Sequence, residues 1–495
     1  MVETFAQRQV VLGVISLGHL LLLLIGLGSG FGSARRGGAG PTVLGRGLLA
    51  GVAAGAVLAA FTALGYVVNM RGMFVSASPA LFDLLSLGRG VGGVPLIVAA
   101  GGAAGVIGAA STLLPANVRS LLLSGMAAVL VVGLFQELLQ IILQTGTLQT
   151  AIRDLLFTPD GLLVRGAAII FLVTAGIGAL WRSRRPVVGA WVLRRPPAQR
   201  RLLRLLALIL AVATVLLLPV IGGLFISQVL VLVGLYTLMG LGLNLEVGFA
   251  GLLDLGFVAF FAIGAYTVGL LTSTGEHGLV QWPFWTAVPV ALVVSLVAGV
   301  LFGLPILRIR GDYLAIATLG FGEIIRLLAL SDALRPWFGG SQGVLFIPKP
   351  VIGGAELSGP MQIYYLTLVS SALIAFVAGR LRDSRLGRAW MALREDEDVA
   401  EAMGINLVNV KLLAYGIGGA FAGMGGAIFA VLLGSIFPHS FSLLISINVL
   451  ALIIVGGMAS LPGVVVGSLF LVGLPELLRE FSDFRFLVYG AALIM

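Results

Sequence analysis

Long apolar runs alternate with short polar or arginine-rich stretches along almost the whole chain. A helix needs about 20 mostly apolar residues to cross the ~30 Å hydrocarbon layer of a membrane, and most of these runs reach that length. The alternation therefore predicts an all-α, polytopic membrane protein with about 15 transmembrane helices. Five predicted helices precede residue 182, near residues 10–32, 48–69, 94–114, 120–143 and 162–181. Ten more follow residue 204, near residues 205–223, 225–244, 255–272, 284–305, 313–330, 362–379, 411–433, 443–458, 463–477 and 485–495.

An arginine-rich stretch from Trp181 to Arg204 separates the two groups of runs. It carries eight arginines and no acidic residue, which is typical of a loop on the cytoplasmic side of a membrane. We therefore predict an N-terminal membrane extension of about five helices at 1–181, a basic cytoplasmic linker at 182–204 and a membrane core at 205–495.

Counting crossings outward from this linker assigns sides to the remaining loops. The N-terminus is predicted to lie outside, and residues 380–405, with five arginines, return to the cytoplasm. The weakly apolar stretch 73–87, which contains Asp83, is interpreted as interfacial rather than spanning. The last run, Arg485–Met495, is about half a span, and is expected either to be completed by further residues or to pack within the bundle.

Composition narrows the range of functions. The chain is 59% hydrophobic and 10% charged, with a mean hydropathy of +1.11, whereas soluble domains carry about 25% charged residues. It has no cysteine and three scattered histidines, so a metal centre and a catalytic triad are not expected. Neither lysine, Lys349 or Lys411, follows a glycine, and this excludes a P-loop for ATP. The net charge of +9 fits cytoplasmic loops, and no basic stretch is interleaved with the aromatic residues of a nucleic-acid surface.

Ionisable residues inside predicted helices are costly and are the first candidates for structural pairs or for a translocation path. Two interpretations are open for Glu137 and Arg165: they face each other as a structural pair, or they lie at the membrane interface. Glu323 and Arg326 lie three residues apart and so share a helix face. For this second pair two interpretations remain open: a mutual ion pair, or a polar element that lines a path.

The stretch NLEVGFAGLLD, residues 244–254, places polar and glycine residues between two apolar runs. Irregular backbone at membrane depth is tolerated only where protein or water covers it, so a broken or reentrant helix is predicted here. Its polar members are Asn244, Glu246 and Asp254. The predicted translocation path comprises Asn244, Gly248, Gly251, Asp254, Glu323 and Arg326.

The stretch LREDEDVAEAMGIN, residues 393–406, gathers five of the 21 acidic residues of the chain. Its acids favour the N-terminal turn of a short helix, and Gly404 is suited to end that helix. Two interpretations remain: a solvated helix that contacts nothing, or a docking element for a cytoplasmic partner. The residues assigned to this element are Glu395, Asp396, Glu397, Val399, Ala400, Met403 and Gly404, with Val399, Ala400 and Met403 expected to form one apolar face.

Four stretches resemble the integral-membrane permeases of branched-chain amino acid ABC importers, in particular the M-type subunit that pairs with an H-type subunit. They are LNLEVGFAGLLDLGFVAFFAIGAY around residue 244, RIRGDYLAIATLGFGEIIRL at 308–327, GRAWMALREDEDVAEAMGINLVNVKLLAY at 387–415 and IIVGGMASLPGVVVGSLFLVGLPELL at 453–478. The resemblance covers residues 205–495 and leaves the first 181 residues without an implied role.

The resemblance implies that a segment at about 383–406 is the cytoplasmic coupling loop, which inserts into a groove of a separate ATP-hydrolysing subunit. It also implies that this chain binds no cofactor and that ATP and Mg are held by the partner. Further implied partners are a second, H-type permease in a heterodimer, an extracytoplasmic solute-binding protein and membrane lipid, all at a bacterial plasma membrane. The 331–361 loop, with GGSQG at Gly339–Gly343, is expected to help receive the solute-binding protein.

Two other function classes are weaker. An importer of urea, amides or other small solutes remains possible within the same superfamily. An ion-coupled secondary transporter would need intramembrane ionisable groups and often repeated halves, and few such groups and no clear repeat occur in the second group of helices. No motif supports a membrane enzyme.

Overall fold

The computed structural model describes residues 8–35, 42–68, 70, 78–143, 147–193, 197–307, 309 and 311–479. The described chain is almost wholly helical, and its only strands are short antiparallel hairpins. Its internal contacts divide it into two units, Met1–Ile209 and Leu210–Met495. The hairpins are β1–β2 (Gln9–Val11, Ile15–Ser16), β3–β4 (Phe157–Thr158, Gly161–Leu162) and β5–β6 (Val351–Ile352, Ala355–Glu356).

The first unit contains helices that follow the apolar runs of the sequence. They are α1 (Leu17–Arg35), α2 (Thr42–Val67), α3 (Pro79–Leu85), α4 (Val94–Ala110), α5 (Ala116–Leu134), α6 (Gln136–Ile142), α7 (Thr147–Leu156) and α8 (Val164–Leu193). The interfacial stretch predicted at 73–87 contains only the seven-residue helix α3 among its described residues, too short to cross a bilayer.

Helices α1, α2 and α4 pack through glycine and alanine. A Cβ atom added at Gly51 would lie 2.2 Å from the carbonyl oxygen of Gly101, and one at Gly30 would lie 2.0 Å from that of Gly105. Without a hydrophobic driving force between helices in lipid, such close backbone approach supplies the van der Waals contact that holds them together.

The interpretation that Glu137 and Arg165 face each other as a pair is wrong. Glu137 instead forms an ion pair with Arg8 at 3.4 Å, and Arg165 donates to the carbonyl oxygens of Leu155 and Asp154 at 3.2 and 3.0 Å. Arg8 therefore binds the junction between α5 and α6, and Arg165 binds the end of α7 just before its own helix. The positions of Glu137 and Arg165 in the sequence indicate their depth in the membrane. They do not indicate the direction in which each side chain points around its helix.

The arginine-rich stretch is largely helical. Helix α8 continues to Leu193, and α9 (Pro197–Leu243) begins four residues later. The side chains of 182–198 lie outside the described residues. Helix α9 contains a break at Gly223 (φ 69°, ψ −162°), which separates the predicted runs 205–223 and 225–244. Pro219 has no N–H to offer the carbonyl oxygen of Val215, and the hydroxyl of Tyr364 donates to that oxygen at 2.9 Å.

The second unit continues from this break. After a π-helical turn (Asn244–Phe249) it contains α10 (Val258–Thr272), α11 (Phe284–Ile306), α12 (Asp312–Leu330), α13 (Arg335–Phe338), α14 (Pro360–Arg382), α15 (Arg385–Glu395), α16 (Glu397–Ala402), α17 (Leu407–Leu433), α18 (Leu443–Gly456), α19 (Leu461–Ser468) and α20 (Leu474–Leu477).

Helix α17 lies at the centre of the second unit and is the most deeply buried of its long helices. A Cβ at Gly426 would lie 2.0 Å from the carbonyl oxygen of Phe261 on α10, and one at Gly423 would lie 2.3 Å from the hydroxyl of Ser295 on α11. Gly419 and Gly423, which have the G-x-x-x-G spacing, are thus used in close helix packing.

Eleven helices of the described chain are long and apolar enough to cross a membrane, compared with about 15 predicted. The all-α polytopic prediction is confirmed, and four differences account for the count. The runs 205–223 and 225–244 merge into one helical stretch, Ile209–Phe249. The helices Val258–Thr272 and Leu461–Leu477 fall short of a full span. The run 485–495 lies outside the described residues.

Candidate functional site

The predicted break between two apolar runs is present at residues 244–257, here called the helix break. Helix α9 widens into the π-helical turn at Asn244, and the chain then runs without regular structure until α10 begins at Val258. The side-chain oxygen of Asn244 accepts a hydrogen bond from the backbone N–H of Ala459 at 2.9 Å. Ala459 has a φ of +62°, so this bond holds a strained turn before α19. A π-helical turn of this kind is frequent at functional sites.

Gly248 and Gly251 allow the helix break to approach its neighbours. A Cβ at Gly248 would lie 2.1 Å from the side-chain oxygen of Asn244. Gly251 has a φ of +72°, and a Cβ there would lie 3.0 Å from the Cγ atom of Arg394. The guanidinium Nη1 of Arg394 donates to the carbonyl oxygen of Gly248 at 2.7 Å. The helix break is therefore tied directly to α15.

The acidic members of the helix break are buried. Glu246 is 0% exposed and Asp254 is 2% exposed. A carboxylate oxygen of Asp254 accepts from the N–H of Gly256 at 2.6 Å, and Thr318 on α12 packs beside it. The carboxyl group of Glu246 faces that of Asp254, in space that Gly418 on α17 leaves open. The structure thus brings together Asn244, Gly248, Gly251 and Asp254, four of the six residues predicted for the path.

The other two residues, Glu323 and Arg326, form an ion pair with each other on α12. Their side chains are 43% and 25% exposed. In the described part of the chain, no hydrogen bond or ion pair links them to Asn244 or Asp254. The geometry is that of the mutual pair, which was one of the two interpretations of the sequence.

The segment 383–406, here called the 383–406 segment, is anchored by α15. Ser384 caps this helix by accepting from the N–H of Gly387 at 3.2 Å. The indole of Trp390 is fully buried and donates to the carbonyl oxygen of Val410 at 2.9 Å. Together with the Arg394 contact, these bonds fix α15 between the helix break and the start of α17.

The acidic stretch folds as the short helix α16. Asp396 is extended (φ −158°) and ends α15, and its carboxylate then accepts from the N–H groups of Asp398 and Val399 at 2.9 and 3.0 Å. This is an N-cap, and it explains why an acid stands at this position. Gly404 follows the helix with a φ of +84°, a conformation that favours glycine. Glu395 and Asp396 are both exposed.

The expected apolar face of α16 requires a correction. Val399 and Met403 are 57% and 79% exposed, whereas Ala400 is 2% exposed and packs inward. Val399 and Met403, four residues apart, lie on the exposed side of the helix. Ala400 instead seats the helix on the core.

The two lysines of the chain have structural roles that the sequence analysis did not predict. Lys411 is 5% exposed, forms an ion pair with Glu397 and donates to the carbonyl oxygen of Leu307 at 3.3 Å. Lys349 donates to the carbonyl oxygen of Leu432 at 2.8 Å, in the last turn of α17. Their rarity was the available signal, because every other basic residue in the chain except histidine is arginine.

Burial lowers the pKa of the Lys349 ammonium, with a smaller opposing effect from Glu356. The same loop contains Gly339, Gly340 and Gly343, which all have positive φ. Val344, next to them, pairs with Ile436 in an isolated antiparallel bridge. The 331–361 loop is therefore fastened to the turn after α17 at two places.

No group of three or more histidine, aspartate or glutamate side chains placed to hold a metal ion occurs among the described residues. The site contains a buried pair of acids, Glu246 and Asp254, within the helix break, and Arg394 links this break to α15.

Residues 225–495 match the model of the family described as "Branched-chain amino acid transport system / permease component". The high-affinity branched-chain amino acid transport system permease protein LivM of Salmonella typhimurium is 41% identical over 284 residues, 53% of this chain and 65% of that protein. LivM of Escherichia coli is 40% identical with the same coverage. LivH of Escherichia coli is 23% identical over 278 residues, 52% of this chain and 87% of that protein. No solved structure matches this chain.

The family match covers more than half of the chain and includes both the helix break and the 383–406 segment. The chain spans about two thirds of the length of the two LivM proteins. The family consists of permease components of transport systems, not of enzymes. This chain, with its many apolar helices, is a multi-pass membrane protein and belongs to the family of permease components of branched-chain amino acid transport systems.

Proposed function

We propose that this chain is the membrane permease subunit of an ATP-driven importer for branched-chain or related amino acids in a bacterial plasma membrane. The observation that carries the proposal is the contact between Arg394 and the carbonyl oxygen of Gly248, which joins the 383–406 segment to the helix break. A displacement of this segment by a cytoplasmic partner is transmitted to the helix break through that contact.

The proposed docking surface for the cytoplasmic partner consists of Val399 on α16 and Met403 at the C-terminal end of that helix. Exposed apolar side chains beside a charged rim are typical of a protein interface. The buried side chains of Trp390 on α15 and Ala400 on α16 anchor the 383–406 segment to the core. In the proposal, the surface of Val399 and Met403 therefore moves together with this segment. The proposed partner is an ATP-binding subunit that holds ATP and Mg, because this chain has no P-loop.

Further partners follow from the related proteins. LivM and LivH are both named as permease proteins of one kind of transport system, so a second, H-type permease is the proposed partner across the membrane path. An extracytoplasmic solute-binding protein is the proposed donor of substrate, and the fastened 331–361 loop is its proposed landing surface.

Substrate identity is tested by uptake. The complex of this chain with its ATP-binding subunits, second permease and binding protein is reconstituted in vesicles and offered labelled leucine, isoleucine, valine, urea and acetamide. ATP-dependent uptake of the branched-chain amino acids is expected. Uptake of urea or acetamide in their place would reassign the substrate, and uptake driven by an ion gradient without ATP would reject the importer.

Docking is tested at Met403. The variant Met403→Asp places a charge in the proposed apolar contact and is expected to weaken retention of the ATP-binding subunit roughly tenfold or more, in line with ~1.4 kcal/mol per tenfold. Val351→Asp is the control, since Val351 is also an exposed apolar residue (50%) but lies in β5 of the 331–361 loop. Equal retention by both variants would reject α16 as the docking helix.

A further inference from the structure

We propose that the helix break contains a proton-binding site, in which the carboxyl group of Glu246 keeps its proton and donates it to the carboxylate of Asp254. The site is independent of which solute the protein carries and of which subunits it binds. It assigns a ligand, a proton, to the helix break that follows α9.

The hydrogen-bond donors around the two acids are unequal. Asp254 accepts from the backbone N–H of Gly256 at 2.6 Å and lies beside the Thr318 hydroxyl. Both carboxyl oxygens of Glu246 are buried, and no N–H or hydroxyl group of the described residues donates a hydrogen bond to either of them. A buried carboxylate without a donor or cation is strongly disfavoured, whereas a carboxylic acid has its own O–H to donate. The negative charge therefore belongs on Asp254 and the proton on Glu246.

Two carboxyl groups in contact inside a protein cannot both ionise at low cost, because the two negative charges repel each other. The favoured state of such a pair holds one proton shared between the two groups. A second, independent observation points into the same site. The hydroxyl of Tyr415 on α17 is buried and without a partner in the described chain, and it is close enough to interact electrostatically with both acids. It offers a donor or acceptor to whatever occupies the site.

The space beside Asp254 favours a proton over a larger cation. The cavity lined by Asp254, Thr318 and Tyr415 has a volume of about 10 Å³. This is room for roughly one water molecule and not for a hydrated metal ion. When the site is emptied, the Glu246 O–H bond breaks, its electron pair stays on the Glu246 carboxylate, and the proton passes to the Asp254 carboxylate. Asp254 lines the cavity and releases the proton to a water molecule there.

The charged and titratable groups that face the site from neighbouring elements are few. Arg394 on α15 donates to the carbonyl oxygen of Gly248, and Tyr415 faces the pair from α17. On α12, Glu323 and Arg326 are paired with each other, and Lys411 on α17 is paired with Glu397. Within the described residues, none of these side chains donates a hydrogen bond to Glu246.

Proton binding by the folded chain makes stability depend on pH. Where the folded state holds one more proton than the unfolded state, its stability falls as pH rises, by up to about tenfold in the unfolding equilibrium constant per pH unit. Loss of the proton leaves two adjacent carboxylates in the helix break. The pair thus makes the stability of the break responsive to pH.

The test uses the purified full chain in lipid nanodiscs. Infrared spectra at neutral pH are expected to show the carbonyl stretch of a protonated carboxylic acid, which disappears in Glu246→Gln and persists in Glu276→Gln, an exposed control. The melting temperature of the unaltered chain is expected to fall between pH 6 and pH 9. This fall is expected to disappear in Glu246→Gln and to persist in Glu276→Gln. In Asp254→Asn the band is expected to remain and shift, because Glu246 donates to a different acceptor.

Three results overturn the proposal. The first is the absence of a carboxylic-acid band in the unaltered chain, a result that stands even if Glu246→Gln does not fold. The second is a band that disappears in Asp254→Asn and stays in Glu246→Gln, which places the proton on the other acid. The third is a stability that rises with sodium and is indifferent to pH, which makes the site a metal cation site.

Discussion

Lys411 shows how one charged residue is tolerated in the protein interior. Its ammonium is almost fully buried at the start of α17, where it meets Glu397 from α16 and the carbonyl oxygen of Leu307 after α11. Burial of a charge is accepted when the charge is paired and hydrogen-bonded. This single side chain joins three elements, and its removal leaves Glu397 partly buried and without the ammonium.

We expect Lys411→Met to destabilise the protein by about 3 kcal/mol, the typical cost of removing one partner of a buried pair. The measurement is thermal or denaturant unfolding of the purified chain. Arg382→Met is the matched control, because its pair with Asp383 is 42% and 69% exposed. The control is expected to cost roughly 0.5 kcal/mol or less. Equal effects of the two variants would mean that burial does not decide the strength of these pairs.

A second residue-scale prediction concerns the glycines of the central helix. Gly426→Ala on α17 places a Cβ 2.0 Å from the carbonyl oxygen of Phe261, and such overpacking typically costs roughly 1–3 kcal/mol. Gly320→Ala on α12 meets nothing within 4 Å, and its higher helix propensity is worth up to about 1 kcal/mol of stabilisation. The two alanine variants should therefore move the melting temperature in opposite directions. A gain in Gly426→Ala would show that α10 and α17 can separate freely.

At the scale of the secondary-structure elements, the helix break and the 383–406 segment are in direct contact. Arg394 projects from the last turn of α15, and its guanidinium reaches the π-helical turn through Gly248. Gly251 permits the approach, because its missing Cβ is where the Arg394 stem passes. The two features lie some 140 residues apart in sequence and form one mechanical connection in space.

Under the proposed function, Arg394→Met should uncouple transport. Its hydrocarbon stem is kept, so α15 and the Val399–Met403 surface should stay in place and retain the ATP-binding subunit. The lost bond to Gly248 is expected to lower ATP-driven uptake about tenfold, the effect of ~1.4 kcal/mol. Arg388→Met, an exposed residue of the same helix, is the control. Uptake that falls equally in both variants, or binding lost together with uptake, would contradict a coupling role.

The elements themselves were largely predictable, because apolar runs and helix-ending residues are local signals. The short helix α16 follows from Asp396 as a cap and Gly404 as a terminator, and the helix break follows from its polar and glycine residues. Contacts between distant residues were not predictable, since azimuth around a helix is set by packing. Arg394 with Gly248 and Lys411 with Glu397 belong to this group. The burial of Ala400 belongs to the same group, because the orientation of α16 against the core is also set by packing.

At the scale of the whole molecule, each unit has hydrophobic clusters built from its own residues. The largest cluster of the second unit contains buried residues from Val231 to Leu471, and the clusters of the first unit lie between Val10 and Leu162 in the described chain. The family match begins at residue 225 and lies wholly within the second unit. A unit with its own core can in principle fold alone.

We therefore expect residues 205–495, expressed without the N-terminal extension, to unfold cooperatively within about 5 °C of the full chain, a difference of only a few kcal/mol for a domain of this size. Under the proposed function, this fragment should also retain the ATP-binding subunit, because α16 and its anchors are all included. A fragment starting at residue 250 is the control. It lacks α9 with its buried Leu238, Met239 and Leu241, and should not fold. If the longer fragment also fails, the extension is part of the folding unit, and its five helices are structural partners of the permease core rather than an addition to it.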